Sequence, residues 1–241
     1  ANPPVTGVLG FDVAVLTLEE AAHWVLARAL SEQPATLVVT LNPEIIIQSR
    51  SDARLAAALT SAGLTVADGV GVVWAAKRAG TELPGRVPGV ELTARVLELG
   101  GAELSVFFLG ARPGIAERAA AAAAQRWGVR IAGHRHGYFD RDADAAEIAA
   151  EVAASGARLV LAGLGEGQEL FLQQHLNAMG VRVAIGVGGT LDVLAGEVQR
   201  TPVWTRRLGI EWLWRVGSDR SRWHRFPRLL QFARLVLRTY R

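Results

Sequence analysis

The sequence predicts an α/β fold: a Rossmann-like, mainly parallel sheet with helices on both faces, arranged as two fused lobes with a basic C-terminal helical appendage. Short apolar runs alternate with amphipathic stretches from Leu9 to about Val187, which is typical of parallel strands buried on both sides. The 26 glycines suit a fold with many tight strand-to-helix turns. Half of the 241 residues are hydrophobic, which is ample for a sizeable core.

The elements follow in order from local signals. A capping-box pattern at Thr17 and Glu20 predicts a helix over Ala21–Leu30. Pro43 and Pro113 each stand where a first helical turn would begin, the first before Glu44–Ala62 and the second before an alanine-rich helix that reaches about Trp127. Strands are predicted at the apolar runs Leu37–Thr40, Leu64–Ala67, Leu104–Leu109, Leu159–Ala162 and Val181–Val187.

Charge divides the chain into an α/β core, residues 1–199, and a C-terminal segment, residues 200–241. That segment holds 11 arginines against Glu211 and Asp219, a net charge of +9, so the rest of the chain sums to −6 to give the total of +3. A helix after Pro227 would carry arginines on one side and apolar residues on the other. We interpret it as an interfacial helix whose apolar side dips into lipid, the alternative being that this side docks on the protein. The helical-wheel groups are Arg234, Arg238, Arg241 and Gln231 against Leu229, Phe232, Ala233, Val236 and Tyr240.

Composition also indicates where the protein works. There is no cysteine, so disulfide and thiolate chemistry are excluded and a reducing cytoplasm is the simplest location. No secretory signal is recognised in the first residues and no stretch is apolar enough to span a membrane. We therefore expect a cytoplasmic protein, peripheral on the inner face of the cell membrane. Nucleic acid is not expected as a partner, because no recognised binding module accompanies the basic tail.

Candidate site residues follow from the rule that ligands bind beyond the carboxyl ends of parallel strands. Thr40 and Asn42 could grip sugar hydroxyls, or could cap the next helix. Asp68, between a strand and two glycines, could serve as a general base, or again as a cap. Arg86 lies in a Pro/Gly-rich loop and suits a phosphate or carboxylate, unless it is a solvated surface arginine.

Glycine turns supply a second set of candidates. The turns that begin at Gly110 and Gly163 stand before probable helices, where free backbone N–H groups and the helix dipole favour a diphosphate. Tyr138 could stack on a base, although an aromatic residue there is more often packing. Asp140, Asp142 and Asp144 read as the exposed start of a helix, so no catalytic metal is predicted.

Taken together, these segments resemble the WecG/TagA/CpsF glycosyltransferases, glycosyltransferase family 26, in order from about Gly10 to Phe226. The matching motifs are Thr40-Leu41-Asn42-Pro43-Glu44, Ala67-Asp68-Gly69-Val70-Gly71-Val72-Val73-Trp74-Ala75, Arg86-Val87-Pro88-Gly89, Phe108-Leu109-Gly110, His136-Gly137-Tyr138-Phe139, Gly188-Gly189-Thr190-Leu191-Asp192-Val193-Leu194-Ala195-Gly196, Arg200-Thr201-Pro202 and Gly209-Ile210-Glu211-Trp212-Leu213.

The resemblance implies an inverting, metal-independent transfer without a cofactor, from a UDP-sugar, often of the N-acetylmannosamine type, to an undecaprenyl-diphosphate-linked sugar. It implies Asp68 as base, with Thr40 and Arg86. It also implies a tail that binds membrane and closes over the site, and a homo-oligomer. The substrate-binding set is Asn42, Gly110, Tyr138, Gly165, Gln168, Glu169, Gly188, Gly189 and Asp192, and the leaving-group set is Arg215, Arg222 and Arg225.

The sequence departs from the family pattern at three places. The family's G-L-G-x-P-K-Q-E is one residue shorter here, Gly163 to Glu169, without Pro or Lys; its E-P-x-R is Asp219-Arg220-Ser221-Arg222, and Leu191 replaces an aromatic residue. Two other functions stay open. A Rossmann-like oxidoreductase would need a phosphate fingerprint and a ribose-binding acid, neither of which is found, and a non-enzymatic membrane or nucleic-acid tether would need only the arginine tail.

Overall fold

The computed structural model describes residues 2–198 and 226–240. In chain order the elements are β1 (Val5–Val8), β2 (Phe11–Ala14), α1 (Leu18–Leu30), β3 (Thr36–Leu41), α2 (Pro43–Ser49), α3 (Ala53–Thr60), β4 (Leu64–Ala67), α4 (Val70–Arg78), α5 (Gly89–Gly100), β5 (Ser105–Gly110), α6 (Ile115–Trp127), β6 (Arg130–Arg135), α7 (Ala145–Ser155), β7 (Leu159–Gly163), α8 (Gln168–His175), β8 (Val183–Gly186), α9 (Thr190–Leu194) and α10 (Phe226–Thr239).

The main sheet has six strands in the order β4-β3-β8-β7-β5-β6, and every neighbouring pair is parallel. The predicted α/β class with a parallel sheet is therefore confirmed, and strands from both predicted lobes belong to one continuous sheet. β1 and β2 form a separate antiparallel hairpin. The boundary at residue 199 falls where the described part of the chain is interrupted, so the two-part division stays a prediction.

Alternating side chains of the strands feed two apolar layers, one on each face of the sheet. Phe108 points into the layer built from α1, α5, α6 and α9. Phe107, its neighbour, points into the layer built from α2, α3, α4, α7, α8 and α10. Each ring is at most 1% exposed, and full burial of such a side chain stabilises the fold by about 1.5–3 kcal/mol.

The helix starts show which local signals decide the structure. The capping box is present at α1: Thr17 Oγ1 accepts from Glu20 N–H at 3.2 Å and Glu20 Oε2 accepts from Thr17 N–H at 2.8 Å. The single helix predicted from Glu44 to Ala62 is wrong, because it is two helices, α2 and α3. Asp52 separates them, since its Oδ1 accepts from two backbone N–H groups and opens α3 as an N-cap.

The last helix, α10, docks on the molecule. Phe232 and Val236 are 3% and 0% exposed and belong to the core layer that contains α2 and α4. At its end, the Tyr240 hydroxyl accepts from Leu9 N–H at 2.7 Å. The helix is amphipathic as predicted, but the interpretation that its apolar side dips into lipid is wrong for Phe232 and Val236, because the protein buries them. Among the residues described, no helix combines the length and apolarity needed to cross a bilayer.

Candidate active site

The candidate residues of the core share one edge of the sheet, because all six strands run in the same direction. Thr40 is the penultimate residue of β3 and Asp68 follows β4 directly. Gly110 and Gly163 end β5 and β7, and Gly188 follows β8 by two residues. This is the edge at which open parallel sheets bind their ligands.

Asp68 lies where β3, β4 and α5 meet. Its backbone N–H donates to Leu41 O at 2.8 Å, and its Oδ2 accepts from Gly89 N–H, at the first turn of α5, at 3.3 Å. Gly89 also lies against Thr40, since a β-carbon added there would be 3.4 Å from Thr40 Oγ1 and 3.7 Å from Asp68 Oδ2. The structure thus brings Thr40 and Asp68 together at the amino end of a helix, which favours negative charge.

The capping alternative has a different outcome at each predicted residue. The N-cap of α4 is Gly69, with a positive φ of 90° and no side-chain hydrogen bond, so Asp68 does not cap that helix. Asn42 does act as a cap, because its Oδ1 accepts from Ile45 N–H at 3.0 Å and opens α2. The cap does not use its amide nitrogen, so sugar binding by Asn42 stays a prediction.

Arg86 is held near Asp68 by its own loop. The next residue, Val87, donates its N–H to Ala67 O at 2.7 Å, which fixes the loop against the end of β4. The Arg86 side chain is half-buried. Arg86 therefore lies beside the strand end that Asp68 directly follows. Its guanidinium suits the phosphate role predicted for it.

A second feature of this edge is the junction of β5 and β7, at which an open parallel sheet forms a crevice if the chain diverges there. β5 leads on to β6 while β7 leads on to β8, in opposite directions along the sheet, so the crevice lies at a topological switch point. Only glycine fits its floor. A β-carbon on Gly110 would lie 2.3 Å from Gly163 O, and one on Gly163 would lie 2.7 Å from Gly188 O.

Gln168 and Glu169, at the start of α8, hold two of these turns together from below. Gln168 Oε1 accepts from Leu164 N–H and from Gly188 N–H, both at 3.3 Å, and its Nε2 donates to Glu169 Oε1 at 2.9 Å. Burial raises the pKa of Glu169 against the opposing effect of this hydrogen bond. Both side chains are buried, so in this structure they shape the glycine turns rather than line an open surface.

Arg141 is a residue of the site that the sequence did not reveal. Its guanidinium donates to Glu166 O at 2.6 Å and also to Leu164 O, and so ties down the glycine turn after β7. Asp140 prepares this geometry, because its Oδ1 accepts from two backbone N–H groups and folds the turn. Those same bonds lower the pKa of Asp140. The segment from Asp140 to Asp144 was predicted as the exposed start of a helix, so Arg141 within it was not recognised as a site residue.

Tyr138 stands beside the crevice and is exposed to solvent over 66% of its surface. The preceding Gly137 donates its N–H to Ala111 O at 2.8 Å, which packs the segment against the turn after β5. The ring is therefore not core packing, and base stacking stays the prediction for it. Gly165 and Gly189 are also exposed, and Asp192 is half-buried in the short helix α9.

The C-terminal helix reaches this edge through Arg228. Its Nη1 lies 2.9 Å from Glu44 Oε1, at the start of α2, and its Nη2 lies 3.4 Å from Glu166 Oε1, in the turn after β7. A cavity of about 380 Å³ adjoins it, with Gln48 and Gln231 among its walls. The predicted leaving-group arginines, Arg215, Arg222 and Arg225, lie outside the described residues. The Arg200–Pro202 and Gly209–Leu213 motifs lie outside them as well.

The described ranges, 2–198 and 226–240, contain no group of three or more histidine, aspartate or glutamate side chains arranged to hold a metal ion. A parallel sheet with a carboxylate and a row of glycine turns along its carboxyl edge is the architecture of nucleotide-binding α/β enzymes.

Comparison with known proteins identifies the family within this class of α/β enzymes. Residues 6–241 match the Glycosyl transferase WecG/TagA/CpsF family, and the chain belongs to this family. It is accordingly a glycosyltransferase, and the resemblance inferred from the motifs is confirmed.

Two curated relatives illustrate the similarity. A protein of Bacillus spizizenii is 33% identical over 212 residues, covering 87% of this chain and 81% of its own. One of Staphylococcus aureus is 31% identical over 232 residues, covering 95% and 89%. Both are named N-acetylglucosaminyldiphosphoundecaprenol N-acetyl-beta-D-mannosaminyltransferase.

Proposed function

We propose that this glycosyltransferase moves an N-acetylmannosamine-type sugar from a UDP-sugar to a sugar carried on a polyprenyl diphosphate, in the synthesis of a cell-surface polysaccharide. The names of the relatives supply the acceptor class and the sugar. The observation that carries the proposal is the contact of Asp68 with the amino end of α5, beside Thr40 and across the edge from the glycine crevice.

Asp68 is the proposed general base. Its carboxylate accepts the proton of the acceptor hydroxyl as that oxygen bonds to the anomeric carbon, and the bond from that carbon to the diphosphate breaks on the opposite side. The nucleoside diphosphate leaves with the electron pair, so a single displacement inverts the anomeric centre. The Gly89 N–H, at the amino end of α5, holds the carboxylate in place before the reaction.

The donor is proposed to lie along the strand ends. The sugar sits at β3 and β4 near Thr40, the diphosphate lies over the glycine turns, and the base reaches Tyr138. Since adjacent strands are about 4.8 Å apart, β7 lies about 10 Å from β3 in the order β3-β8-β7. This separation suits a sugar joined to a diphosphate. Helices begin after these turns, and backbone N–H groups at helix starts are donors that anions prefer.

Stabilisation of the leaving group is assigned to cations of the chain rather than to a bound metal. Arg86 is the described residue for this role, with Arg215, Arg222 and Arg225 expected to join it. A guanidinium binds two phosphate oxygens at once, and charge that develops on the departing diphosphate is best met by fixed donors. Peripheral binding to the inner face of the cell membrane would bring the site to its lipid-linked acceptor.

The decisive experiment measures transfer with purified protein, a lipid-linked N-acetylglucosaminyl diphosphate acceptor and a panel of UDP-, GDP- and dTDP-sugars. We expect release of UDP with an N-acetylmannosamine donor, and a fall in kcat of about 10²–10⁴-fold in Asp68→Asn, as for loss of a general base. Calorimetric binding of UDP to the variant shows that its fold and donor site persist.

The matched control is Asp12→Asn, an exposed carboxyl on the β1–β2 hairpin, which should keep wild-type transfer. Transfer by Asp68→Asn at a rate within threefold of wild type would remove the proposed mechanism. Binding of NAD in preference to UDP would instead support an oxidoreductase.

A further inference from the structure

The outer face of α4 carries apolar side chains that the core does not cover. Val70 and Trp74 are 40% and 37% exposed, and Lys77, one turn further on, is exposed as well. These positions are spaced i, i+4 and i+7, so they form one stripe along the helix. The opposite side of α4, with Val72 and Ala75, is fully buried.

The neighbouring helix α10 repeats this pattern. Leu230 and Leu237 are 47% and 49% exposed, with the exposed Arg234 between them at the same i, i+4, i+7 spacing. This is the face opposite the buried Phe232 and Val236, so it is not the side that docks on the protein.

The two helices lie side by side and run in the same direction. Near the start of α4, a β-carbon on Gly71 would lie 3.3 Å from Cε1 of Phe232, in the middle of α10. At their carboxyl ends, Arg78 Nη2 donates to Tyr240 O at 2.7 Å. Both helices pack their buried sides into the same core layer. Their outward stripes therefore belong to one outer side of the molecule.

The charged residues of these two helices all have the same sign. Neither α4 nor α10 contains an aspartate or glutamate, whereas together they contain Lys77, Arg78, Arg228, Arg234 and Arg238. Arg228 is turned to Glu44 and Glu166, and Arg78 donates to Tyr240 O. Lys77, Arg234 and Arg238 are exposed. Exposed apolar side chains set among cations complement a bilayer with anionic headgroups, in which apolar groups enter the interface and cations meet phosphates.

We infer that the stripes of α4 and α10 form one lipid-binding surface, made of Val70, Trp74, Lys77, Leu230, Arg234 and Leu237, and that its partner is an anionic membrane. We call it the two-helix surface. The core contributes half of it, so membrane contact is not confined to the C-terminal segment. This inference rests on the proposed function, since a lipid-linked acceptor requires the site to meet the bilayer. α4 begins two residues after Asp68, so the two-helix surface adjoins the proposed base.

Lys77 makes the inference directly measurable, because it is the only lysine in the chain. The full-length protein is treated with an amine-reactive reagent, with and without phosphatidylglycerol vesicles, and the labelled Lys77 peptide is quantified by mass spectrometry. We expect labelling to fall at least fivefold when the protein is vesicle-bound. Phosphatidylcholine vesicles should give little protection, and added salt should reverse it.

Variants test the surface without relying on labelling. Lys77→Gln should lower the partition constant for anionic vesicles about fivefold, which corresponds to the roughly 1 kcal/mol expected for one cation near an anionic surface. Lys77→Arg should restore binding, and Trp74→Ser should lower it severalfold. Arg126→Gln, which removes an exposed cation from α6 on the other face of the sheet, should bind as wild type does.

Three results would overturn the inference. One is full labelling of Lys77 while the protein is vesicle-bound, which places contact elsewhere. Another is an absence of vesicle binding. The third is protection that rises with protein concentration in the absence of lipid, because a second copy then covers the surface. All of these readouts measure vesicle binding and are separate from sugar transfer, which the Asp68→Asn experiment tests independently.

Discussion

A buried carboxyl group lies directly beneath the glycine turns. Glu169 is 7% exposed and receives one hydrogen bond from Gln168 Nε2. Desolvation raises its pKa above the ordinary value of 4.5, because burial disfavours the charged form. Ionisation of Glu169 therefore destabilises the folded state. Glu169 lies directly beneath the glycine turns proposed to bind the diphosphate.

The pH dependence of stability should reveal this group. A raised folded-state pKa means that the native state holds the proton more tightly, so its contribution to stability is complete below 4.5 and is lost as the pH rises through the raised value. We expect Glu169→Gln to become more stable than wild type as the pH rises above 4.5, with the difference levelling off once the pKa is passed. Urea unfolding across pH measures it.

The control for this comparison is Glu117→Gln, on the exposed side of α6. Because this side chain is not buried, the gain in stability with rising pH expected for Glu169→Gln should not appear in this variant. A constant difference between Glu169→Gln and wild type across the same range would contradict the assignment.

At the scale of the element, the ends of β5, β7 and β8 depend on close backbone approach. Gly110 combines a φ of 131° with a neighbouring carbonyl, Gly163 O, at 2.3 Å from any added β-carbon. Gly114 also has a positive φ, 84°, but nothing lies within 4 Å of such an atom. A comparison of alanine substitutions at these two glycines therefore shows how much a steric clash adds to the strain of a positive φ.

Substitution at these two glycines should therefore have unequal effects. Gly110→Ala should lower the free energy of unfolding by about 3 kcal/mol or more, from strain and overpacking together. Gly114→Ala should lower it by only about 1 kcal/mol, from backbone strain alone. Urea denaturation measures both, and equal losses would show that the close approach to Gly163 has no energetic role.

Which elements could be predicted depended on burial. The buried strands were recognisable as apolar runs, and β4 was predicted at its observed bounds, Leu64–Ala67. β6 was missed because it lies at the edge of the sheet and its residues, Arg130–Arg135, are only partly buried or exposed. The hairpin of β1 and β2 was missed because its strands have four residues each, too few for a clear alternation.

The site was predictable where it follows a strand and hidden where it depends on tertiary contacts. The rule that ligands bind beyond the carboxyl ends of parallel strands located Asp68, Gly110 and Gly163, because each follows an apolar run. Arg141 was missed because its acceptors lie 23 and 25 residues away in the chain. The wheel of α10 separated its two sides correctly, but no sequence pattern shows whether lipid or protein covers an apolar side.

At the scale of the whole molecule, one hydrogen bond joins segments 231 residues apart. Leu9, which is 4% exposed and has a φ of 50°, donates its N–H to the Tyr240 hydroxyl at 2.7 Å. Arg50 Nη2 donates to Leu9 O at 2.7 Å, so both backbone groups of this residue are bound. The hairpin and α10 are thereby fastened to each other.

Removal of this bond should loosen α10. Tyr240→Phe leaves Leu9 N–H buried without its acceptor, which should lower the free energy of unfolding by about 1–2 kcal/mol and speed hydrogen exchange in α10. The other of the two tyrosines provides the control, since Tyr138→Phe changes an exposed ring. Exchange in α10 at wild-type rates in Tyr240→Phe would show that this hydrogen bond does not hold the helix in place.

The docking of α10 has a consequence for biosynthesis. Ribosomes make the segment that binds Phe232 and Val236 long before they make these two residues, so a growing chain displays an uncovered apolar groove on α2 and α4 until α10 emerges. A chain that ends before Phe226 would keep this apolar surface of α2 and α4 uncovered. Chaperones and proteases recognise such surfaces, and incomplete copies should be removed before they sequester nucleotide-sugar.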